Sequence, residues 1–198
     1  MSIIINRQNN TFHLCNEEIS YIMTVLPNGQ MGQLYFGKRI REREDYSYLL
    51  ETMPRPMASC VFETDKAFSM EHIKQEYGTF GATDYRIPAA SVIQENGSRI
   101  SEFCFHDFHV ESGKPKIAGL PATYTEDEKE ADTLVLGLED QQAGLRLEAG
   151  GRRRVPDSGS SDGLYRQRAE SLKPDLPPPV SETARTGILE RRGAAYPD

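Results

Sequence analysis

The chain has 198 residues, 37% of them hydrophobic, with 30 acidic against 23 basic side chains and a formal net charge of -7. That length holds one ordinary domain, with or without a tail, and the acidic balance argues against nonspecific nucleic-acid binding, which needs clustered Lys and Arg to neutralise phosphate. No apolar run reaches the roughly 20 residues of a membrane span, and the opening "MSIIINRQNN" lacks the basic and long apolar regions of a signal peptide, so a cytoplasmic protein with no membrane partner is expected.

The first forty residues read as short strands separated by turns. In "ISYIMTVL" the residues Ile19, Tyr21, Met23 and Val25 share one face at period two, and "PNGQ" supplies an Asn-Gly turn before "MGQLYFGK" resumes the pattern, which predicts a hairpin. From Arg39 to about Pro88 the alternation stops. "DYSYLLE" and "SMEHIKQEY" each read as a short helix, the second with Ser69 as its N-cap, and "PRPMASC" excludes both helix and central strand through Pro54 and Pro56. Loops beyond about 15 residues are uncommon in compact domains unless they bind or dock, so residues 51–88 are the most informative stretch.

Strand signals return in "ASVIQ", in an Asn-Gly turn at "ENGS", and in "RISEFCFHDFHV". They continue in "DTLVLGL", with Leu134, Leu136 and Leu138 on one face, and in "LRLE" from about Leu145. Recurrent strands with few helices indicate an all-β antiparallel sandwich. From about Ala149 the composition changes: the remainder holds six of the 12 prolines and none of the eight phenylalanines, with no apolar alternation. Disorder is the first expectation there, and an interrupted strand at "GLRLE" running into "AGGRRR" favours a shifted reading frame over a native tail. A sandwich that stopped there would expose an unpaired edge and invite aggregation.

The chemistry-bearing residues form no strong constellation. His106 and His109 lie three apart on a strand, hence on opposite faces, so one metal ion collects both only across a bulge; His13 and His72 have no partner visible in the sequence. The acids of "TEDEKEAD" sit in a solvated loop without the burial that separates pKa values for catalysis. Phosphate-binding and nucleophile-elbow motifs are absent. Cys15, Cys60 and Cys104 are too sparse for a disulfide framework and read as buried, reduced thiols. Asp65 and Lys66 stand at a loop tip.

The segments "SYIMTVLPNGQMGQLYFGKRI", "FSMEHIKQEYGTFGATDYRIPA", "ENGSRIS" and "GKPKIAGLPATYTEDEKEADTLVLGLED", in that order and spacing, closely resemble the N-terminal β-sandwich domain of bacterial α-galactosidases of glycoside hydrolase family 36, from about residue 1 to Leu147. The resemblance implies residues 1–148 as an incomplete, supersandwich-like β-sandwich with long loops and few short helices, and 149–198 as a disordered or frame-shifted tail. It also implies a parent enzyme that removes terminal α-galactose with retention, using two aspartates about 5 Å apart in a following (β/α)8 barrel of about 250 residues. Neither the Lys-Trp-Asp nucleophile segment nor the acid/base aspartate occurs, and the sequence has no Trp. No catalytic residue, metal or cofactor is therefore assigned, and the chain alone is expected to be inactive.

In tetrameric members of the family, loops of this domain reach a neighbouring subunit's active site, and an arginine before a Phe-Ser-Leu segment touches substrate. The matching position here is Lys66, which keeps the charge without the bidentate fork; a second contact, an aspartate in some members, falls at Pro54 or its neighbours. Homo-oligomerisation and α-galactosides are thus the partners the resemblance implies. "QEYGTFGATDYRIPA" is expected to fix the base of the long loop, with Asp84 and Arg86 paired and Gly78 and Gly81 at tight turns. Asp84 and Tyr85 are the candidates for direct sugar contact beside Lys66. The alternatives are a free-standing carbohydrate-binding sandwich with Tyr77, Phe80 and Tyr85 as stacking faces, and a module that mediates subunit assembly only.

Overall fold

The computed structural model describes residues 2–54, 65–81, 84–89, 91–94, 96–113, 132–152 and 166–171. Two four-stranded antiparallel meanders face each other. The first sheet runs β1 (Ser2–Asn6), β2 (Thr11–Cys15), β3 (Ile19–Val25) and β4 (Met31–Lys38); the second runs β5 (Cys104–Ser112), β6 (Asp132–Asp140), β7 (Leu145–Arg152) and β8 (Arg166–Ser171). The Asn28-Gly29 turn closes the predicted hairpin between β3 and β4, with Gly29 at φ +85, where a side chain would be strained.

The period-two pattern sets which side chains meet between the sheets. Phe12, Leu14, Met23 and Met31 from the first sheet pack with Leu134, Leu136, Leu138, Leu145, Leu147 and Ala149 from the second, joined by Tyr77 and Phe103. Phe12 is 0% exposed and makes ring contacts with Phe105 and Phe108 of the opposite sheet at 5.8 and 5.1 Å. Burying such a ring contributes about 1.5–3 kcal/mol.

A β-bulge at His106 in β5 lets Phe105 and Phe108, three apart, both reach Phe12. The bulge does not unite the two histidines on one ion pair: His106 lies beside Asp107 and Glu139, while His109 meets Glu111. Across the outer face, Arg146 donates to both oxygens of Asp107 and to Glu139. Gly137 makes this possible, since a Cβ there would collide with the Asp107 carboxylate.

The outer face of the first sheet is also covered, which the alternation in β3 did not show. Tyr46, beside a 3-10 turn at Ser47–Leu49, lies over it and contacts the His13 ring edge to face at 5.7 Å. His13 has partners after all: its Nε2 is 2.9 Å from Ser20 Oγ and its Nδ1 is 3.2 Å from the Tyr46 hydroxyl, all three residues being buried. The Ile40 and Arg43 amides donate to Ser20 Oγ and to the Tyr46 hydroxyl, tying the 39–50 segment to the sheet.

Two other expectations differ from the structure. "SMEHIKQEY" is not a helix: the Gln33 amide donates to Lys74 O and the Glu76 amide to Met31 O, so residues 74–76 lie along the free edge of β4, with a bridge between Gly32 and Gln75. Edge pairing satisfies these backbone groups and overrides a weak helix propensity. Ser69 accordingly makes a local turn, its Oγ accepting from the Glu71 amide. Residues 91–94 belong to no strand, although the turn after them forms as expected around Gly97 at φ +80. In the second sheet, β7 runs to Arg152 and is paired by β8.

Cys15 is buried and Cys104 half-buried, neither of them in a disulfide, with burial pushing the Cys104 thiol up. Cys60, the "TEDEKEAD" acids before Asp132 and the rest of the tail lie outside the described residues, while Asp132 itself opens β6.

Candidate functional site in the irregular segment

The described residues between 65 and 103 leave the sandwich as irregular chain, and four local devices hold them. A small apolar cluster of Leu26, Phe68, Met70 and Ile73, flanked by Leu50, anchors the start. The edge pairing of 74–76 follows, beneath which the Tyr21 hydroxyl donates to the Glu76 carboxylate and accepts from Gln33 Nε2 at 3.2 Å. Burial raises the Glu76 carboxyl to about 7 and pushes the Tyr21 phenol upward.

The third device is the expected pair. Arg86 donates through Nε to Asp84 Oδ1 at 2.9 Å and through Nη2 to Asp84 Oδ2 at 2.7 Å, a two-pronged fork. The same guanidinium donates to the carbonyls of Ile73 at 2.9 Å and Met70 at 3.1 Å. One side chain thereby stitches the Asp-Tyr-Arg turn to the apolar anchor. Burial alone would raise the Asp84 carboxyl, but the Arg86 hydrogen bonds and charge outweigh it and hold the group below its ordinary value. The Asp84 hydrogen bonds raise Arg86 in turn.

The fourth is a tight turn in which Gly81 and Asp84 exchange backbone hydrogen bonds at 2.8 and 2.9 Å. Gly81 sits at φ +123, and a Cβ there would lie 2.5 Å from Ile100 Cγ2. Gly78, by contrast, has no positive φ; a side chain there would crowd Gln75 instead.

These devices place the three candidate ligand contacts differently. Asp84 is 6% exposed and its carboxylate is engaged by Arg86. Tyr85 projects at the tip, 65% exposed, edge to face with Phe80 at 5.5 Å, and Ile87 beside it is 97% exposed. Lys66 is exposed on a separate turn, where Asp65 Oδ1 accepts from the Ala67 amide and Asp65 O from the Phe68 amide. That turn and the Asp84–Arg86 turn both rest on the 68–73 anchor; no hydrogen bond joins Lys66 to Asp84 or Tyr85. Tyr77 offers no stacking face: it is 4% exposed in the core against Phe103, and burial pushes its phenol up to about 12.

Among the described residues the surface thus carries an aromatic tip and a cation but no activated nucleophile. The Ser20–His13 hydrogen bond is the nearest thing to one, and it is buried and committed to Tyr46 and the Ile40 amide. Among the described residues, no three His, Cys, Asp or Glu side chains gather to hold a metal ion, and no helix is long and apolar enough to cross a membrane.

Residues 29–150 match the model of the glycosyl hydrolase family 36 N-terminal domain. The chain belongs to that family. The family 36 domain is 35% identical over 147 residues to the α-galactosidase AgaA of Geobacillus stearothermophilus, an alignment covering 74% of this chain and 20% of the relative. Its fold is similar to the crystal structure of the α-galactosidase from Lactobacillus brevis, with a TM-score of 0.71 and 36% identity over 76% of this chain and 20% of that one. A variant of Geobacillus AgaA crystallised with raffinose matches with a TM-score of 0.65 at 34% identity, over 72% of this chain and 20% of that one. The family 36 chain described here therefore spans about a fifth of the length of the relatives it matches.

Proposed function

We propose that this chain serves as the non-catalytic N-terminal β-sandwich of a retaining α-galactosidase, supporting hydrolysis of terminal α-galactose by a catalytic barrel that the 198 residues do not contain. The single observation that carries this reading is the family match over residues 29–150, with full-length α-galactosidases aligned over the same region. In the assembled enzyme, a cytoplasmic homo-oligomer, the irregular segment leans on a neighbouring subunit. Lys66 and Tyr85 contribute charge and an aromatic face toward an α-galactoside there. Asp84 acts through Arg86, holding the tip that carries Tyr85. Residues 1–148 form the domain in this reading, and 149–198 form an appended segment.

A chimera tests the proposal: residues 1–150 of this chain replace the matched region of Geobacillus AgaA. Restored raffinose hydrolysis, with KM raised by Lys66→Ala or Tyr85→Ala, is the expected result. A soluble, oligomeric chimera in which neither substitution alters KM overturns the assignment of these residues, and a chimera without hydrolysis overturns the domain's role.

The exposed Phe80–Tyr85 pair favours one second reading, a free-standing carbohydrate-binding sandwich. Titration of the isolated chain with millimolar melibiose, followed by NMR, separates the two. A saturable shift at Tyr85 supports the second reading, and its absence supports the first.

A further inference from the structure

The family match ends at residue 150, but the second sheet does not: β8 pairs antiparallel with β7 from Leu145 opposite Ser171 to Gly150 opposite Arg166. We propose that β8 is an edge-closing strand, supplied by chain beyond the family-matched region, that prevents β7 from pairing with β7 of a second copy of this chain.

The physical need is specific. β7 hydrogen-bonds to β6 on one side. On the other side, alternate N–H and C=O groups would stand unpaired, a ready template for another strand. Leu145, Leu147 and Ala149 of β7 belong to the core, so an open edge here would run along the apolar row between the sheets. A backbone edge beside an apolar face is the arrangement most prone to intermolecular pairing.

The sequence of β8 suits the task. "RQRAES" alternates charge, with Arg166, Arg168 and Glu170 on one face and Gln167, Ala169 and Ser171 on the other. The register sets the uncharged positions opposite Ala149, Leu147 and Leu145, on the core side of the sheet, and the charged ones opposite Gly150, Glu148 and Arg146. At two of the three charged positions the register sets residues of opposite sign across from each other, Glu148 across from Arg168 and Arg146 across from Glu170. Glu148 faces Gly137 on its other flank, which offers no side chain, so the complementary charge comes from the β8 side. A slip of one residue would bring Arg168 to the face of Leu147, which fixes the register. The new outermost strand carries a charge at every second position, a device that discourages further strand addition.

The test is amide hydrogen exchange on the full chain, read residue by residue across Leu145 to Gly150. In an antiparallel ladder, alternate amides of β7 point toward β6 and toward β8. Protection of both sets is expected, together with a monomer in sedimentation velocity. Ala169→Pro, which breaks β8 while leaving the family-matched sequence unaltered, is expected to release the β8-facing set alone and to produce concentration-dependent association. Open exchange of every second β7 amide in the unaltered chain overturns the proposal, as does an Ala169→Pro variant with unchanged exchange and unchanged mass.

Discussion

Replacing Arg86 with alanine removes two hydrogen bonds to the Asp84 carboxylate and one each to the Ile73 and Met70 carbonyls. Hydrogen bonds to charged groups contribute about 1.5–3 kcal/mol. The Arg86 side chain is 46% exposed, so solvent screens part of its charge while Asp84 stays buried. The net loss is about 2 kcal/mol, set by the carboxylate left without its partner. For a domain of this size that lowers the melting temperature by roughly 4–8 °C. Arg86→Lys recovers only part, because a point charge cannot reproduce the fork.

Thermal melts of Arg86→Ala, Asp84→Asn and the double variant measure the coupling; once Asp84 is altered, removing Arg86 costs only its bonds to the Ile73 and Met70 carbonyls, so the two losses sum to more than the double variant loses. The pH dependence gives a second readout. Asp84 is held below its ordinary value of 3.8, so its contribution is present above that pH and is lost as pH falls through the lower folded-state value. In Arg86→Ala the side-chain hydrogen bonds and the charge are gone and only the residue 86 amide still donates to Asp84 Oδ1 against burial, so the depression shrinks and the acid limb weakens. An unchanged melt for Arg86→Ala, or strictly additive effects of the two substitutions, refutes the clamp.

Phe12→Ala is expected to cost about 3–5 kcal/mol through the cavity left between the sheets, seen as a lower urea midpoint with an unchanged m-value. A loss no larger than that of the exposed control Tyr48→Ala contradicts the packing. Glu76 holds its proton up to about 7 in the folded chain against 4.5 as a free group. Its protonated form therefore adds stability that is complete below about 4.5 and fades as pH rises through 7. Glu76→Gln should flatten stability across that window, measured by urea titration at a series of pH values.

The strands of the sandwich were legible wherever one face was apolar at period two, as in Tyr21, Met23 and Val25 or Leu134, Leu136 and Leu138. The Asp84–Arg86 pair was legible because both groups stand two residues apart in a turn. The pairing of 74–76 with β4 was not, since "KQE" carries no strand signal and its order comes from an edge distant in sequence. The His13–Ser20–Tyr46 network was hidden for the same reason: each partner is local to a different element. β8 escaped notice because its alternation is one of charge rather than apolarity. Lys66 stood out in the sequence only as half of a charged loop tip with Asp65, and it was the resemblance that raised it and Tyr85 above ordinary surface.

In the proposed role, the sandwich supports catalysis without performing it. Purified 198-residue chain, incubated with a nitrophenyl α-galactoside, should release no nitrophenolate above the buffer rate. Sustained turnover that co-purifies with the chain would contradict it.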